Sequence, residues 1–405
     1  MVTSVDWRDI RLGDVATIAR GGSPRPIQAF LTANPDGINW IKIGDVKAGE
    51  KYITNTQERI VAEGRNKSRD VHVGDLILSN SMSYGRPYIL KIDGCIHDGW
   101  LVIQHYETAF DQDFLFYALS TWDTFNQYRA MSAGSGVQNL SKEKVANVVI
   151  IAPSLDEQRV ISSKLDNLDE LIFNLTILVD KQHAMRSALE ASLLSGGKRL
   201  PHYADEWESF QLGQLGDFRK GAGISRDESG SGSIACIRYG EIYTDYSAYT
   251  FETTTGISAD VASKATRISH GDIVFACTGE TKEDIGKCVA FMSSAIGYAG
   301  GDTQVFTPNR GIDPVFLSSL LNTDGVRKQK AARGQGDAVV HISGDSLKAI
   351  ELCMPSYEEQ HAIAKVLMDF DNEITAVERK LEKYRQIRQG MMRELLTGHI
   401  RLVQE

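Results

Sequence analysis

Residues 6–199 of this chain are written a second time about 200 positions later. Asp6-Trp7-Arg8-Asp9-Ile10-Arg11-Leu12-Gly13 returns as Glu206-Trp207-Glu208-Ser209-Phe210-Gln211-Leu212-Gly213. Val73-Gly74-Asp75-Leu76-Ile77 returns as His270-Gly271-Asp272-Ile273-Val274, and Gly134-Ser135-Gly136 as Gly334-Gln335-Gly336. The nearest match sets Pro153-Ser154-Leu155-Asp156-Glu157-Gln158 against Pro355-Ser356-Tyr357-Glu358-Glu359-Gln360, and Leu193-Leu194-Ser195-Gly196 recurs as Leu395-Leu396-Thr397-Gly398. Solenoid units run roughly 20–50 residues, whereas a copy of this length is large enough for a core of its own. The chain is a fused dimer of one ancestral unit.

Each copy divides into a mixed part and a helical part. The mixed part (about 6–152 and 206–354) carries short β-like runs between Gly, Pro, Asn and Asp: Ile38–Ile43, Trp100–Ile103, and the runs after Gly74-Asp75 and Gly271-Asp272. Val148–Ile151 and Ile350–Met354 end close to a proline that stops a strand. Helical stretches are expected at Asp113–Tyr128 and Pro314–Leu321. The class is α+β, with globules over 1–152 and 200–354 and helical spacers over 153–199 and 355–405.

The helical parts follow from spacing. Ser154 with Glu157, and Ser356 with Glu359, form Ser-x-x-Glu capping boxes. Apolar residues then step four-three-four-three: Ile161, Leu165, Leu168, Ile172, Leu175, Val179, and in the second copy Ile363, Leu367, Phe370, Ile374, Val377, Leu381. That is a heptad seam. Gly196 and Gly398 stand where a left-handed cap would end each helix, giving about 40 residues or roughly 60 Å. Two like units are expected to pair these helices antiparallel, about a pseudo-two-fold axis. The first helix carries further apolar residues beside its seam (Leu171, Leu178, Met185) where the second has Glu373, Lys380 and Ile387, so either a globule or another subunit is expected to dock on it.

Several functions are disfavoured. A net charge of −9 argues against a free-standing non-specific DNA binder, though not against a few basic loops brought to DNA. No apolar run reaches membrane-spanning length, and the N-terminus lacks the regions of a signal peptide. Five scattered cysteines read as reduced thiols of a cytoplasmic protein. Phosphate-loop, Gly-x-Gly-x-x-Gly, His-Glu-x-x-His and Gly-x-Ser-x-Gly motifs are all missing, so neither cofactor nor metal nor catalysis is expected.

The ordered set of repeated motifs closely resembles the DNA-specificity subunit of type I restriction–modification systems, over essentially the whole chain. The resemblance implies that each globule is a target-recognition domain reading one half of an interrupted, asymmetric double-stranded DNA target. It also implies that the paired helices hold the readers apart and dock two methyltransferase subunits, with ATP-dependent restriction/translocase subunits joining for cleavage.

Base reading needs Arg, Lys, Asn or Gln on loops that enter a groove. The candidates are Arg20, Ser23 and Arg25 in the loop Arg20–Arg25, then Asn80, Ser83, Tyr84 and Arg86 after the Gly-Asp strand. In the second globule they are Lys220 and Arg226, then Thr281 and Lys282, with Lys282 taken as the counterpart of Arg86. Gly134–Asn139 and Gly334–Asp337 are either recognition loops or plain turns. Two competing readings remain open: a coiled-coil scaffold that never touches bases, and a nuclease with an unrecognised carboxylate–lysine site.

Overall fold

The computed structural model describes residues 7–46, 49–80, 84–132 and 139–402. The chain forms two compact units, one of Met1–Ile177 with Arg379–Glu405, the other of Leu178–Glu378.

In the first unit one five-stranded sheet runs in the order Thr17–Arg20, Trp100–Gln104, Leu76–Ser79, Pro87–Leu90, Tyr52–Ile53. A second runs Leu31–Thr32, Glu58–Ile60, Ile38–Ile41, Gly94–Ile96, Arg69–Val71. The three central strands of the first sheet are buried on both faces, so their residues alternate between two cores. Leu76, Leu78, Ile89, Leu101 and Ile103 join a core that includes helical residues, while Ile77, Tyr88, Leu90, Trp100 and Val102 pack in another with Ile41, Val71 and Ile96 of the second sheet. The second unit repeats the plan. Ile273, Phe275, Ala290 and Phe306 join the helix-side core, and Val274, Ala276, Val289, Phe291 and Val305 the other.

The repeated Gly-Asp pair is the turn into the central strand. Asp75 accepts from the His72 amide at 2.8 Å and Asp272 from the Ser269 amide at 2.9 Å. The expected helix at 113–128 is two helices, Gln112–Leu119 and Trp122–Ser132. The break falls where the Thr121 and Thr124 hydroxyls both turn back to the Ala118 carbonyl at 2.8 Å, a side-chain competition with the helical ladder.

The long helices span Leu155–Leu194 and Tyr357–Leu395. Within each unit their ion pairs run in opposite sequence directions: Glu157 with Arg401 and Asp169 with Arg388 in the first, Glu359 with Arg199, Asp371 with Arg186 and Glu378 with His183 in the second. The helix segments in each unit are therefore antiparallel. Ile161 and Leu165 lie in the first globule's core together with Leu395 and Leu396, and Ile363 and Leu367 lie in the second's with Leu193 and Leu194. Leu168, Leu175, Val179, Ile374 and Leu381 are buried, while Ile172, Phe370 and Val377 are half-buried.

The Pro-Ser-x-x-Glu-Gln motif does more than cap. Ser154 Oγ accepts from the Glu157 amide at 3.4 Å, but the Glu157 carboxylate is not returned to the cap. It takes both nitrogens of the Arg401 fork at 2.7 Å, and Glu359 takes Arg199 at 2.7 and 2.6 Å. A bidentate guanidinium outcompetes a backbone N–H for a carboxylate. Gln158 accepts from the Asp111 amide at 2.8 Å and donates to Pro153 O at 2.9 Å; Gln360 does the same with Asp313 and Pro355. Asp111 and Asp313 are the N-caps of the globules' own helices. The motif thus joins three helix ends in each unit.

Each long helix ends before a left-handed glycine, Gly196 at φ +70° and Gly398 at φ +74°. The tryptophan that opens each repeat lies against it: a Cβ on Gly398 would stand 3.0 Å from the Trp7 ring, and one on Gly196 3.5 Å from Trp207.

Candidate nucleic-acid interface

In the first unit four of the candidate side chains converge on one turn, His97-Asp98-Gly99. Arg20 Nε donates to Asp98 O at 3.0 Å, Ser23 Oγ to Asp98 Oδ1 at 2.7 Å, and Arg25 Nη2 stands 3.8 Å from Asp98 Oδ2. The Ser23 hydroxyl, with His97 and Arg20 nearby, holds the Asp98 carboxyl below its ordinary value. Asn80 also reaches the turn, donating to Asp98 O at 2.9 Å. It is only 2% exposed, so its amide is committed to the turn and does not face a groove. Arg20 and Arg25 remain exposed.

Sequence reasoning missed the segment beside this loop. Arg69 Nε donates to Arg20 O at 3.4 Å, and Gly22 lies against the Lys67–Ser68 backbone. Arg65, Lys67 and Arg69 are exposed, with Arg65 paired to Asp70. The run Arg65-Asn66-Lys67-Ser68-Arg69 is visible in the sequence as three basic residues in five, and was its own signal.

The second unit builds the same junction with other residues. The loop after Lys220 lies on Gly300–Thr303: Gly221 N donates to Thr303 O at 3.0 Å and Gly301 N to Gly223 O at 2.9 Å. Lys220 and Arg226 are exposed. Thr278–Gly279 pairs with Val340–His341, and Thr278 Oγ1 meets His341 Nδ1 at 3.0 Å. This puts the Gly334–Asp337 loop, closed by reciprocal Gln335–His341 backbone bonds, beside the stretch leading to Thr281 and Lys282. Thr281 donates to Asp284 at 3.2 Å, and Lys282 is exposed. Ser83 and residues 133–138, including Gly134–Gly136, lie outside the described residues; Asn139 gives its carbonyl to Lys144 Nζ at 3.3 Å.

Tyr84 and Arg86 stand apart from the Asp98 cluster. They line a cavity of about 650 Å³ with Phe116, Trp122, Phe125 and Arg388, where Tyr84 stacks on Phe125 and Phe125 on Trp122. The hairpin register corrects the expected match between the copies. Ser79 N bonds Arg86 O and Ala276 N bonds Lys287 O, and Gly85 N and Gly286 N bond back to Ser79 O and Ala276 O. Arg86 therefore corresponds to Lys287, not Lys282. Lys287 is half-buried, donates to Tyr243 O at 3.2 Å, and has its amine lowered by burial.

Behind each hairpin a left-handed glycine leaves room for a helix residue. Gly85 (φ +81°) faces the Tyr128 ring, and Gly286 (φ +74°) faces the Lys330 stem. Lys330 is fully buried and donates to Gly286 O at 2.7 Å.

The family described as type I restriction modification DNA specificity domain matches residues 4–178 and 204–384. The chain belongs to this family. Each specificity domain takes in one globule and part of the long helix that follows it. The MjaVIII specificity subunit of a type I restriction enzyme from Methanocaldococcus jannaschii is 23% identical, covering 98% of this chain and 93% of its own length. A putative MjaX specificity subunit of the same organism is 20% identical, over 98% and 94%. Among solved structures, the S subunit of a type I restriction-modification system from M. genitalium shares the fold with a TM-score of 0.60 at 14% identity, covering 98% of this chain and 97% of that one. The HsdS subunit from Thermoanaerobacter tengcongensis shares it with a TM-score of 0.54 at 17% identity, over 98% of both. Among the described residues, no helix of this specificity protein is long and apolar enough to cross a membrane.

Proposed function

We propose that this chain is the non-catalytic, sequence-reading subunit of a type I restriction–modification complex, with methyl transfer and ATP-dependent cleavage carried by partner subunits. The first specificity domain reads one half of an interrupted double-stranded target and the second reads the other. The observation that carries this is the loop junction built twice on one framework with different side chains: Arg20, Ser23 and Arg25 at Asp98 in one copy, Lys220 and its loop on Gly300–Thr303 in the other. One framework with divergent tips is what two readers of unlike half-sites require.

Within each junction, Arg20, Arg25, Lys67 and Arg69 are assigned to the DNA backbone or base edges of the first half-site, and Lys220, Arg226, Thr281 and Lys282 to those of the second. Arg86, and Tyr84 with it, is assigned to the mouth of its cavity. Ile161 through Val179 and Ile363 through Leu381 form the pairing seam of the helices. Methyltransferase subunits dock on the long helices, where Phe173 and Ile177 in the first unit and Leu178 and Met185 in the second are exposed apolar residues. The chain works where the host DNA is, in the cytoplasm.

The test is to exchange residues 7–152 for the corresponding globule of another family member and sequence the methylated sites of the host genome. One half-site is expected to change and the other to stay. A simultaneous change in both would refute the two-reader reading.

A further inference from the structure

Each globule is tied to the long helices through an aspartate at a matching position, Asp169 and Asp371. In the first unit the Tyr117 hydroxyl lies 2.7 Å from Asp166 Oδ1 and 2.8 Å from Asp169 Oδ2. Arg388, from the other long helix, bonds the same Asp169 through Nε and Nη2. Lys51 of the globule completes the array, bonding Asp166 and, at 2.7 Å, Asp113, with its ammonium 4.8 Å from the Tyr117 ring centroid. In the second unit Arg186 holds Asp371 at 2.9 and 3.1 Å, and Tyr249 donates to Asp371 Oδ2 at 3.0 Å.

The two tyrosines come from different elements. Tyr117 sits six residues after the N-cap Asp111. The residue six after the matching N-cap, Asp313, is Ser319, whose buried Oγ has no hydrogen-bond partner among the described residues and which lines a cavity of about 1000 Å³. Tyr249 comes instead from the edge strand Tyr249–Thr250. The second unit lacks the first unit's donor at this helix position and makes the bond from another element, onto the matching carboxylate. Both phenols are raised, by burial first and then by the adjoining carboxylates, so each stays protonated and able to donate.

A bare packing role would not call for a phenol, a guanidinium and a carboxylate to meet twice by different routes. Oriented hydrogen bonds to charged groups fix an angle as well as a distance. We propose that Asp169 and Asp371, with Tyr117 and Tyr249, are positioning residues that set the orientation of each recognition domain on its helix pair, and thereby the spacing between half-sites that the protein accepts. This rests on the DNA-reading function above.

Tyr117→Phe and Tyr249→Phe keep the ring and its packing and remove only the hydroxyl. Each would replace the wild-type chain in its host complex, and the methylated sites would be read by genome sequencing. The bases of both half-sites are expected to be unchanged, while discrimination against sites one base pair too long or too short falls about tenfold, the scale of one hydrogen bond to a charged group. Asp169→Asn and Asp371→Asn should give the same pattern. A merely structural residue would lower methylation equally at every spacing, and that result, or unchanged spacing discrimination, would overturn this inference alone. A wild-type host genome without any two-part methylated motif would overturn the DNA-reading function and this inference with it.

Discussion

Replacing Lys330 with methionine is expected to remove a pH-dependent penalty that the wild-type chain carries. The ammonium is fully buried and its hydrogen-bond acceptor is a neutral carbonyl, Gly286 O at 2.7 Å. Burial pushes the amine down from 10.5 to about 8. Between those values the unfolded chain binds a proton that the folded chain does not, so wild-type stability rises with pH through that window. Below about pH 8 both states hold the proton and the slope vanishes. At about 1.4 kcal/mol per unit the window is worth about 3 kcal/mol. Methionine fills nearly the same volume without a charge, so Lys330→Met has no such slope. Urea unfolding of both proteins at pH 7, 8, 9, 10 and 10.5 gives the difference directly. Relative to wild type, the variant should lose about 3 kcal/mol of advantage between pH 8 and 10.5. A difference that stays constant with pH would refute the reasoning, because it would place the amine's titration outside the window.

Gly398→Ala forces an L-residue into the left-handed region and sets its Cβ 3.0 Å from the Trp7 ring, so it should cost about 1–2 kcal/mol, read as a lower thermal midpoint. Lys67→Ala and Arg69→Ala should each weaken binding to all sequences alike and reduce the slope of log affinity against log salt by about 1; base-selective loss in a titration of single-base variants would make them base contacts instead.

The parts of this fold set by local periodicity could be read from the chain. The heptad steps, the glycine caps and the Gly-Asp turns each involve neighbours a few residues apart, and the duplication gave every such reading a second instance. The candidate interface is less legible because its geometry is made at long range. Asp98 meets Arg20, Ser23 and Arg25 across more than seventy positions, and nothing local marks it. Asn80 looked like a loop amide, yet the turn it supports buries it. Lys330 sits in Lys328-Gln329-Lys330, a run that reads as a solvated face. Local spacing makes the Glu of the Ser-x-x-Glu motif read as a cap, whereas its partner, Arg401, lies 244 residues away. Position after the Gly-Asp strand sets Lys282 against Arg86, whereas backbone pairing matches Arg86 with Lys287.

The way the helix ends enter the cores has a consequence for synthesis. The second unit is one continuous stretch, Leu178–Glu378, and its core draws Leu193 and Leu194 together with Ile363 and Leu367 from inside that stretch. The first unit draws Leu395 and Leu396 into a core begun at Leu12, so it closes only after the intervening second unit has been made. Domains fold as units while the chain emerges, and closing so long a loop adds only slowly to its entropic cost. The globule translated first is thus the one completed last. Until Arg401 arrives at Glu157, it waits with an open seam on its nascent helix.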